Sequence, residues 1–176
     1  MSVFNLLKKD IKMSIFKPDF YFKNIFSVTP EFLKDNNIKA LLLDADNTLC
    51  IFRTDVPVEG VMEWIDKMKS AGIELHICSN GKPGRLTRFS NNVNLPCFYM
   101  SLKPLPFKIV KLVKKLGFKR EEVALIGDQL FTDILGGNLS KIKTIWLDYI
   151  QIEESFSFKL KRSIEKMFKR NLKRGD

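Results

Sequence analysis

Histidine and cysteine are scarce in this chain. His76 is the only histidine among 176 residues, so any nucleophile that needs an imidazole base must use it. Its setting beside Ile77 and Cys78 in an apolar run gives it a structural or edge position instead. Cys50, Cys78 and Cys97 are odd in number, far apart and without a Cys-x-x-Cys pair, which argues against a disulfide framework and a zinc site. No apolar run approaches the ~18 residues of a spanning helix, and no small-residue cleavage site follows the N-terminal segment. Internal repeats and low-complexity linkers are missing as well. These absences predict a reduced, cytoplasmic protein built around one globular unit, for which 45% hydrophobic content is ample.

Acidic charge is also in deficit, twenty Asp and Glu against thirty Lys and Arg, for a formal net charge of +10. The excess is concentrated at the ends. Residues 1–26 carry five Lys against two Asp, and residues 151–176 carry eight basic groups against four acidic ones. The expected division is a basic-aromatic N-terminal arm over 1–28, a central domain over 29–150 and a basic amphipathic C-terminal helix or tail over 151–176.

Along the chain, Phe4, Leu7 and Ile11 fall at helical spacing until Pro18 interrupts. Thr29-Pro30-Glu31 reads as an N-cap, a first-turn proline and an acidic first turn, opening a short helix that stops near Asn36-Asn37. Pro57 is expected to begin a helix with Val58, Val61, Ile65 and Met68 on one face, and Pro106 another with Ile109, Val113 and Leu116 inward. A weaker helix carries Leu86, Phe89 and Val93. Between these lie five apolar runs that read as strands: Ala40 to Leu43, Ile73 to Cys78, Cys97 to Met100, Val123 to Ile126 and Ile142 to Leu147. Strands alternating with helices imply an α/β fold, a three-layer Rossmann-like parallel sheet with helices on both faces.

Ala40-Leu41-Leu42-Leu43 has no apolar-polar alternation, which reads as a strand buried on both faces, and it runs into Asp44-Ala45-Asp46-Asn47-Thr48. Asp, Asn and Thr are also ordinary turn residues, so this stretch alone is either a strand-to-loop transition or a pair of working carboxylates. In a parallel sheet, the residues just past each strand converge on one crevice. Here they are Asp44 and Asp46, Ser79 and Asn80, Lys103, and Asp128 with Asp133. Two carboxylates about 4 Å apart repel by roughly 4 kcal/mol at an effective dielectric near 20, so such a cluster calls for a cation. Hard oxygen ligands suit Mg2+.

The ordered set resembles the haloacid dehalogenase (HAD) superfamily of phosphohydrolases. Asp44-Ala45-Asp46-Asn47-Thr48 looks like its first motif, Ser79 its second, Lys103 its third and Gly127-Asp128 through Asp133 its fourth. The resemblance implies that Asp44 attacks phosphorus to form an aspartyl-phosphate, while Asp46 protonates the leaving oxygen and later activates water. It implies Mg2+ held by Asp44, the backbone carbonyl of Asp46, and Asp128. Ser79, Asn80 and Lys103 would contact the substrate phosphate, and Asp133 would orient Lys103 or a metal-bound water. An Asp at 46 favours a phosphatase, because ion-pumping ATPases of the superfamily carry Thr there and the dehalogenases lack that acid.

Lys17-Pro18-Asp19-Phe20-Tyr21, Ser79-Asn80, Lys103-Pro104 and Gly127 through Asn138 resemble the narrower subclass IIIA, YqeG-like phosphatases. That group is related to the mitochondrial phosphatidylglycerophosphate phosphatases, which implies a lipid-headgroup phosphomonoester. Ala45 and Leu102 depart from it, standing where a larger aliphatic and a second Lys are expected. Gly136-Gly137-Asn138 reads as a turn, and Lys82, Arg85 and Arg88 either steer an anionic substrate or form a solvated helix face.

Asp44 to Ser79 spans 35 positions and Ser79 to Lys103 spans 24, which crossover helices and loops consume. The expected site is therefore capless and open, so water exclusion has to come from a bulky substrate, a partner or another subunit. Phe156, Leu160, Ile164, Met167 and Phe168 form one helical stripe ringed by Lys and Arg. Either this helix lies on an anionic membrane as a peripheral contact, or it packs the stripe on the domain. No stacking platform or reading motif accompanies the basic charge, so no specific nucleic acid is expected. Two alternatives stay open beside a lipid phosphatase: a phosphatase of a sugar, nucleotide or phosphoprotein, and a basic adaptor for an RNA-protein assembly on a phosphatase scaffold.

Overall fold

Leu41 and Leu43 pack into one apolar cluster while Ala40 and Leu42 pack into another, and all four are fully buried. Their strand is thus the middle layer of the fold, covered on both faces as the unbroken apolar run requires. The computed structural model describes residues 14–151, 155–170 and 172–175. The expected amphipathic stretch over 3–17 lies mostly outside them.

Six strands, β1 (Phe20–Phe22), β2 (Ala40–Leu43), β3 (Glu74–Cys78), β4 (Cys97–Phe98), β5 (Val123–Gly127) and β6 (Lys143–Leu147), form one parallel sheet. Their order is β1-β6-β5-β2-β3-β4. Helices α1 (Pro30–Asp35), α2 (Val61–Ser70), α3 (Arg85–Asn92), α4 (Pro106–Leu116), α5 (Leu135–Ser140) and α6 (Phe156–Lys169) connect or flank the strands, and a π-helical turn, Leu130–Ile134, leads into α5. Leu33 of α1, Val61, Trp64, Ile65 and Met68 of α2, and Leu86 and Phe89 of α3 cover the Leu41 face. Ile109, Leu112 and Val113 of α4 cover the Leu42 face. This is the α/β arrangement expected from the alternating pattern. Only α2 lies between β2 and β3, and only α3 between β3 and β4, so no cap domain is inserted there. Among the described residues, no helix is long and apolar enough to cross a membrane.

Helix α1 starts as read: the Thr29 side chain accepts a hydrogen bond from the Phe32 N–H at 3.2 Å, and Pro30 occupies the first turn. Three local expectations change. The helix expected from Pro57 starts at Val61, because Gly60 adopts the left-handed region at φ 83° just before it and Val58 N–H bonds to Leu49 O at 3.0 Å. Gly136 and Gly137 lie inside α5 instead of a turn; a Cβ at Gly137 would stand 2.4 Å from Cγ2 of Thr144, so the helix can sit this close to β6 only without one. The sheet also gains a sixth strand from the N-terminal arm. Asp19 clamps it: its N–H donates to Thr144 Oγ1 at 3.0 Å and its Oδ2 accepts the Thr144 N–H at 2.8 Å. Phe20 and Phe22 then pack edge-on against Phe32, each with centroids 4.9 Å apart.

The C-terminal helix leaves most of its apolar stripe outward, so of the two arrangements open from sequence it does not pack that stripe on the domain. Arg162 and Glu165 are each only 3% exposed, whereas Phe156, Leu160 and Met167 are 82%, 55% and 67% exposed. Of the expected stripe, Phe168 is half-buried, tilted against Phe16 at 6.0 Å, and Ile164 is intermediate.

Candidate active site

Register brings the site together. Leu43 pairs with Ile77 on one side and Ile126 on the other, so β2, β3 and β5 leave the sheet at one level. Chain order changes direction between β2 and β5, the point where α/β sheets open a crevice. Asp44 follows Leu43 with its N–H on Ile126 O at 2.9 Å, Ser79 follows Cys78, and Asp128 follows Gly127. All three side chains are buried.

Lys103 reaches the same point from the loop after β4. Ser101 N–H donates to Ser79 O at 3.0 Å. Asn80 completes the splint: its Oδ1 accepts from Lys103 N at 2.7 Å and from Ser101 Oγ at 2.9 Å, while its Nδ2 donates to Lys103 O at 2.8 Å. The Asn80 amide, expected to touch phosphate, is thus taken up in shaping the Lys103 loop. Ser79 Oγ accepts the Gly81 N–H at 3.3 Å.

The Lys103 ammonium lies 2.7 Å from Asp44 Oδ1 and 2.7 Å from Asp133 Oδ1. Asp133 is fixed in turn by the Gln129 N–H, 3.0 Å from its Oδ2. Burial alone would lower the Lys103 pKa, but Asp133 and Asp44 outweigh it and hold the group well above the usual lysine range. Burial pushes Asp44 up to about 7, with Lys103 opposing and Asp133 adding to the rise. Asp128 is likewise raised well above the ordinary carboxylate range by burial, against the pull of Arg162.

One carboxylate oxygen from each of Asp44, Asp128 and Asp133 lies within 4.8 Å of the others. Asp128 Oδ2 pairs with Arg162, while Asp128 Oδ1 is buried without a hydrogen-bond partner. A buried carboxylate oxygen in that condition is costly unless something positive completes it. An all-oxygen set around an orphaned oxygen fits a hard divalent cation such as Mg2+.

Residues 1–149 match the family described as mitochondrial PGP phosphatase. The chain belongs to that family. It is accordingly a phosphatase of the HAD superfamily. It is 36% identical over 159 residues to the probable phosphatase YqeG of Bacillus subtilis, covering 90% of this chain and 92% of that one. A glyceraldehyde 3-phosphate phosphatase of Pyrococcus furiosus is 29% identical over 112 residues, 58% of this chain and 46% of that one. The fold is shared with the cobalt-bound deoxy-D-mannose-octulosonate 8-phosphate phosphatase of Haemophilus influenzae, at a TM-score of 0.50, 17% identity and coverage of 77% and 89%. It is also shared with an uncharacterized protein from Listeria monocytogenes, at a TM-score of 0.54, 18% identity and coverage of 67% and 85%.

The residues that resemble the PGP phosphatase family divide by task. Asp19 and Asn138 build the edge of the sheet, Asn138 donating to Ile15 O at 2.7 Å and Lys17 O at 3.0 Å. Ala45 is fully buried, and its carbonyl accepts from Leu49 N at 2.9 Å and Cys50 N at 3.1 Å, so it closes the turn below Asp46. Leu102 is exposed beside Lys103 at φ 59°. Asp46 stands apart from the three-carboxylate cluster. Its Oδ1 accepts the Arg53 N–H at 2.7 Å and its Oδ2 pairs with Arg85 at 2.6 Å. Arg85 also donates to Thr54 O at 2.5 Å, Arg88 pairs with Asp55, and Lys82 is exposed. His76 sits 2.8 Å from Glu74 on β3.

Sequence reasoning missed Arg162. Its guanidinium pairs with the Asp128 carboxylate, donates to Asp128 O at 2.9 Å and lies 4.7 Å from the Tyr149 ring. The available signal was Glu165 at i+3, a pair able to neutralise Arg162 on an inward face.

Proposed function

We propose that this phosphatase is a Mg2+-dependent phosphomonoesterase working through an aspartyl-phosphate on Asp44, with phosphatidylglycerophosphate at an anionic membrane surface as its substrate. The observation that carries the reading is the buried, unpartnered Asp128 oxygen beside Asp44 and Asp133, at the sheet edge where Lys103 arrives. Asp44, Asp128 and the backbone carbonyl of Asp46 would hold the ion. When bound, Mg2+ supplies charge that offsets repulsion between Asp44 and a phosphate dianion and stabilises the transferring phosphoryl group.

In the first half-reaction an Asp44 oxygen bonds to phosphorus as the ester P–O bond breaks, and the departing oxygen takes a proton from Asp46. In the second, Asp46 takes a proton from water as the water oxygen bonds to phosphorus, which releases inorganic phosphate and restores the Asp44 carboxylate. Lys103 and Ser79 contact the phosphate oxygens, Asp133 orients Lys103, and Asn80 acts through the Lys103 loop. The Asp46 carboxyl is held by Arg85 and the Arg53 N–H, and one of these contacts must yield an oxygen when Asp46 handles the proton.

Support for a lipid comes from the surroundings of the site. Met100, Leu102 and Leu105 on the Lys103 loop and Phe107 at the start of α4 are exposed large apolar groups. Helix α6 offers a second exposed apolar strip flanked by Lys159, Lys166 and Arg170.

The test is phosphate release from phosphatidylglycerophosphate in mixed micelles with Mg2+, comparing wild type with Asp44→Asn. We expect turnover that the substitution abolishes. Turnover surviving in Asp44→Asn rejects Asp44 as nucleophile. Turnover of soluble sugar or nucleotide phosphates without the lipid moves the substrate class, and a silent panel alongside a stable ribonucleoprotein partner favours an adaptor.

A further inference from the structure

Helix α6 buries its charges and exposes its apolar groups, so what the buried pair touches is the part that needs explaining. Taking Arg162 and Glu165 out of water costs several kcal/mol per ion unless their polar atoms are satisfied in place. They are satisfied by the loop after β5. Glu165 Oε2 accepts from Arg162 Nη1 at 2.8 Å, and its Oε1 accepts the Leu130 N–H at 2.8 Å. Arg162 Nη1 donates also to Asp128 O at 2.9 Å, and Nη2 pairs with Asp128 Oδ2. Trp146 Nε1 holds the same Asp128 carbonyl at 2.9 Å. Backbone and carboxylate of Asp128 are therefore pinned from one side, and Oδ1 alone is left without a partner.

We propose that Arg162 is a positioning residue for the cation site. By engaging Oδ2 and the backbone carbonyl of Asp128, it removes the carboxylate's rotational freedom and leaves Oδ1 as the single oxygen offered to the ion. Outer partners of metal-ligating carboxylates commonly act this way, and losing one typically weakens metal affinity about 10- to 100-fold. The C-terminal helix thereby becomes part of the cation site, although none of its side chains belongs to the three-carboxylate cluster. The inference rests on the reading of Asp44 and Asp128 as cation ligands.

Mg2+ binding to the full chain, measured by calorimetry with Mn2+ electron paramagnetic resonance as a second readout, tests it in wild type, Arg162→Ala, Arg162→Lys, Asp128→Asn and the Arg162→Ala/Asp128→Asn double variant. Arg162→Ala should weaken Mg2+ about tenfold or more. Arg162→Lys keeps a cation but replaces the planar fork with a single ammonium on a flexible stem that fixes Asp128 less firmly, so it should fall between Ala and wild type. Arg162→Ala should add no further loss once Asp128 is Asn, a non-additivity that a merely structural role would not produce. If Arg162→Ala does not fold, Arg162→Lys decides the question. Folded variants that bind Mg2+ as tightly as wild type overturn the proposal, and so does tighter binding, which would make Arg162 a competitor of the ion. Wild type that binds no Mg2+ removes the underlying reading and this inference together, an outcome distinct from both.

Discussion

A Cβ placed on Gly127 would stand 2.3 Å from Cγ of Asp133 and 2.4 Å from its Oδ2. The last residue of β5 is thus glycine because the Asp133 carboxylate that braces Lys103 occupies the space a side chain would fill. Gly127→Ala should displace that carboxylate and cost about 1–3 kcal/mol of stability, readable by urea denaturation. Misplacing Lys103 by even an ångström should lower kcat on the order of 10²-fold. A variant with wild-type turnover would show that Asp133 does not set the Lys103 position.

Asn80 makes three hydrogen bonds to Ser101 and Lys103, so Asn80→Ala should loosen the loop as well as slow the reaction. With net contributions near 1 kcal/mol per bond, the expected loss is about 1–3 kcal/mol. Denaturation and steady-state kinetics separate two roles. A contact to phosphate alone would raise KM with stability unchanged, whereas a strut for Lys103 lowers both stability and kcat.

Raised carboxylate pKa values make the metal-free fold sensitive to alkali. Burial lifts Asp44 from 3.8 to about 7, against Lys103, and lifts Asp128 well above the ordinary range, against Arg162. A folded pKa above the unfolded one adds stability that is complete below the unfolded value and is lost as pH rises through the folded value. The melting temperature without Mg2+ should therefore fall as pH rises from about 4 through about 7. Mg2+ requires the ionised carboxylates, so its stabilising effect should grow over the same window. At 100 times Kd the gain should approach roughly 5–10 °C. A thermal shift no larger at pH 8 than at pH 5 would count against Asp44 and Asp128 as ligands.

Much of the crevice is legible because parallel strands deliver their ends to one rim. Asp44, Ser79 and Asp128 each follow a buried strand, and registers at Leu43 align those exits. Strand β1 is not legible in that way: three residues carry no periodicity, and Asp19 becomes a clamp only once Thr144 of β6 lies beside it. Arg162 is hidden for a stronger reason. Local pattern around it shows an apolar stripe ringed by basic residues and marks no one of them as buried, whereas Asp128, 34 positions away, and the Leu130 N–H reward burial of the charged pair. Asn80 is expected at the site from its motif, but its side-chain bonds to Ser101 and Lys103 are invisible in sequence, because they depend on a loop 21 to 23 positions away.

The outward strip of α6 should govern attachment without governing the fold. Phe156, Leu160 and Met167 are exposed, so replacing all three with Ser should leave the melting temperature nearly unchanged, exposed substitutions being worth about 0.5 kcal/mol or less each. If this strip lies on lipid, the triple variant loses apolar burial worth on the order of 1.5 kcal/mol or more per side chain, so partition onto anionic vesicles should drop at least tenfold. Lys159, Lys166 and Arg170 beside it make residual binding salt-sensitive, at about 1 kcal/mol per basic group near the surface. Turnover of a micellar lipid phosphate should fall with vesicle binding, while hydrolysis of soluble p-nitrophenyl phosphate stays at the wild-type rate. Vesicle binding that survives the triple substitution would assign attachment to another surface.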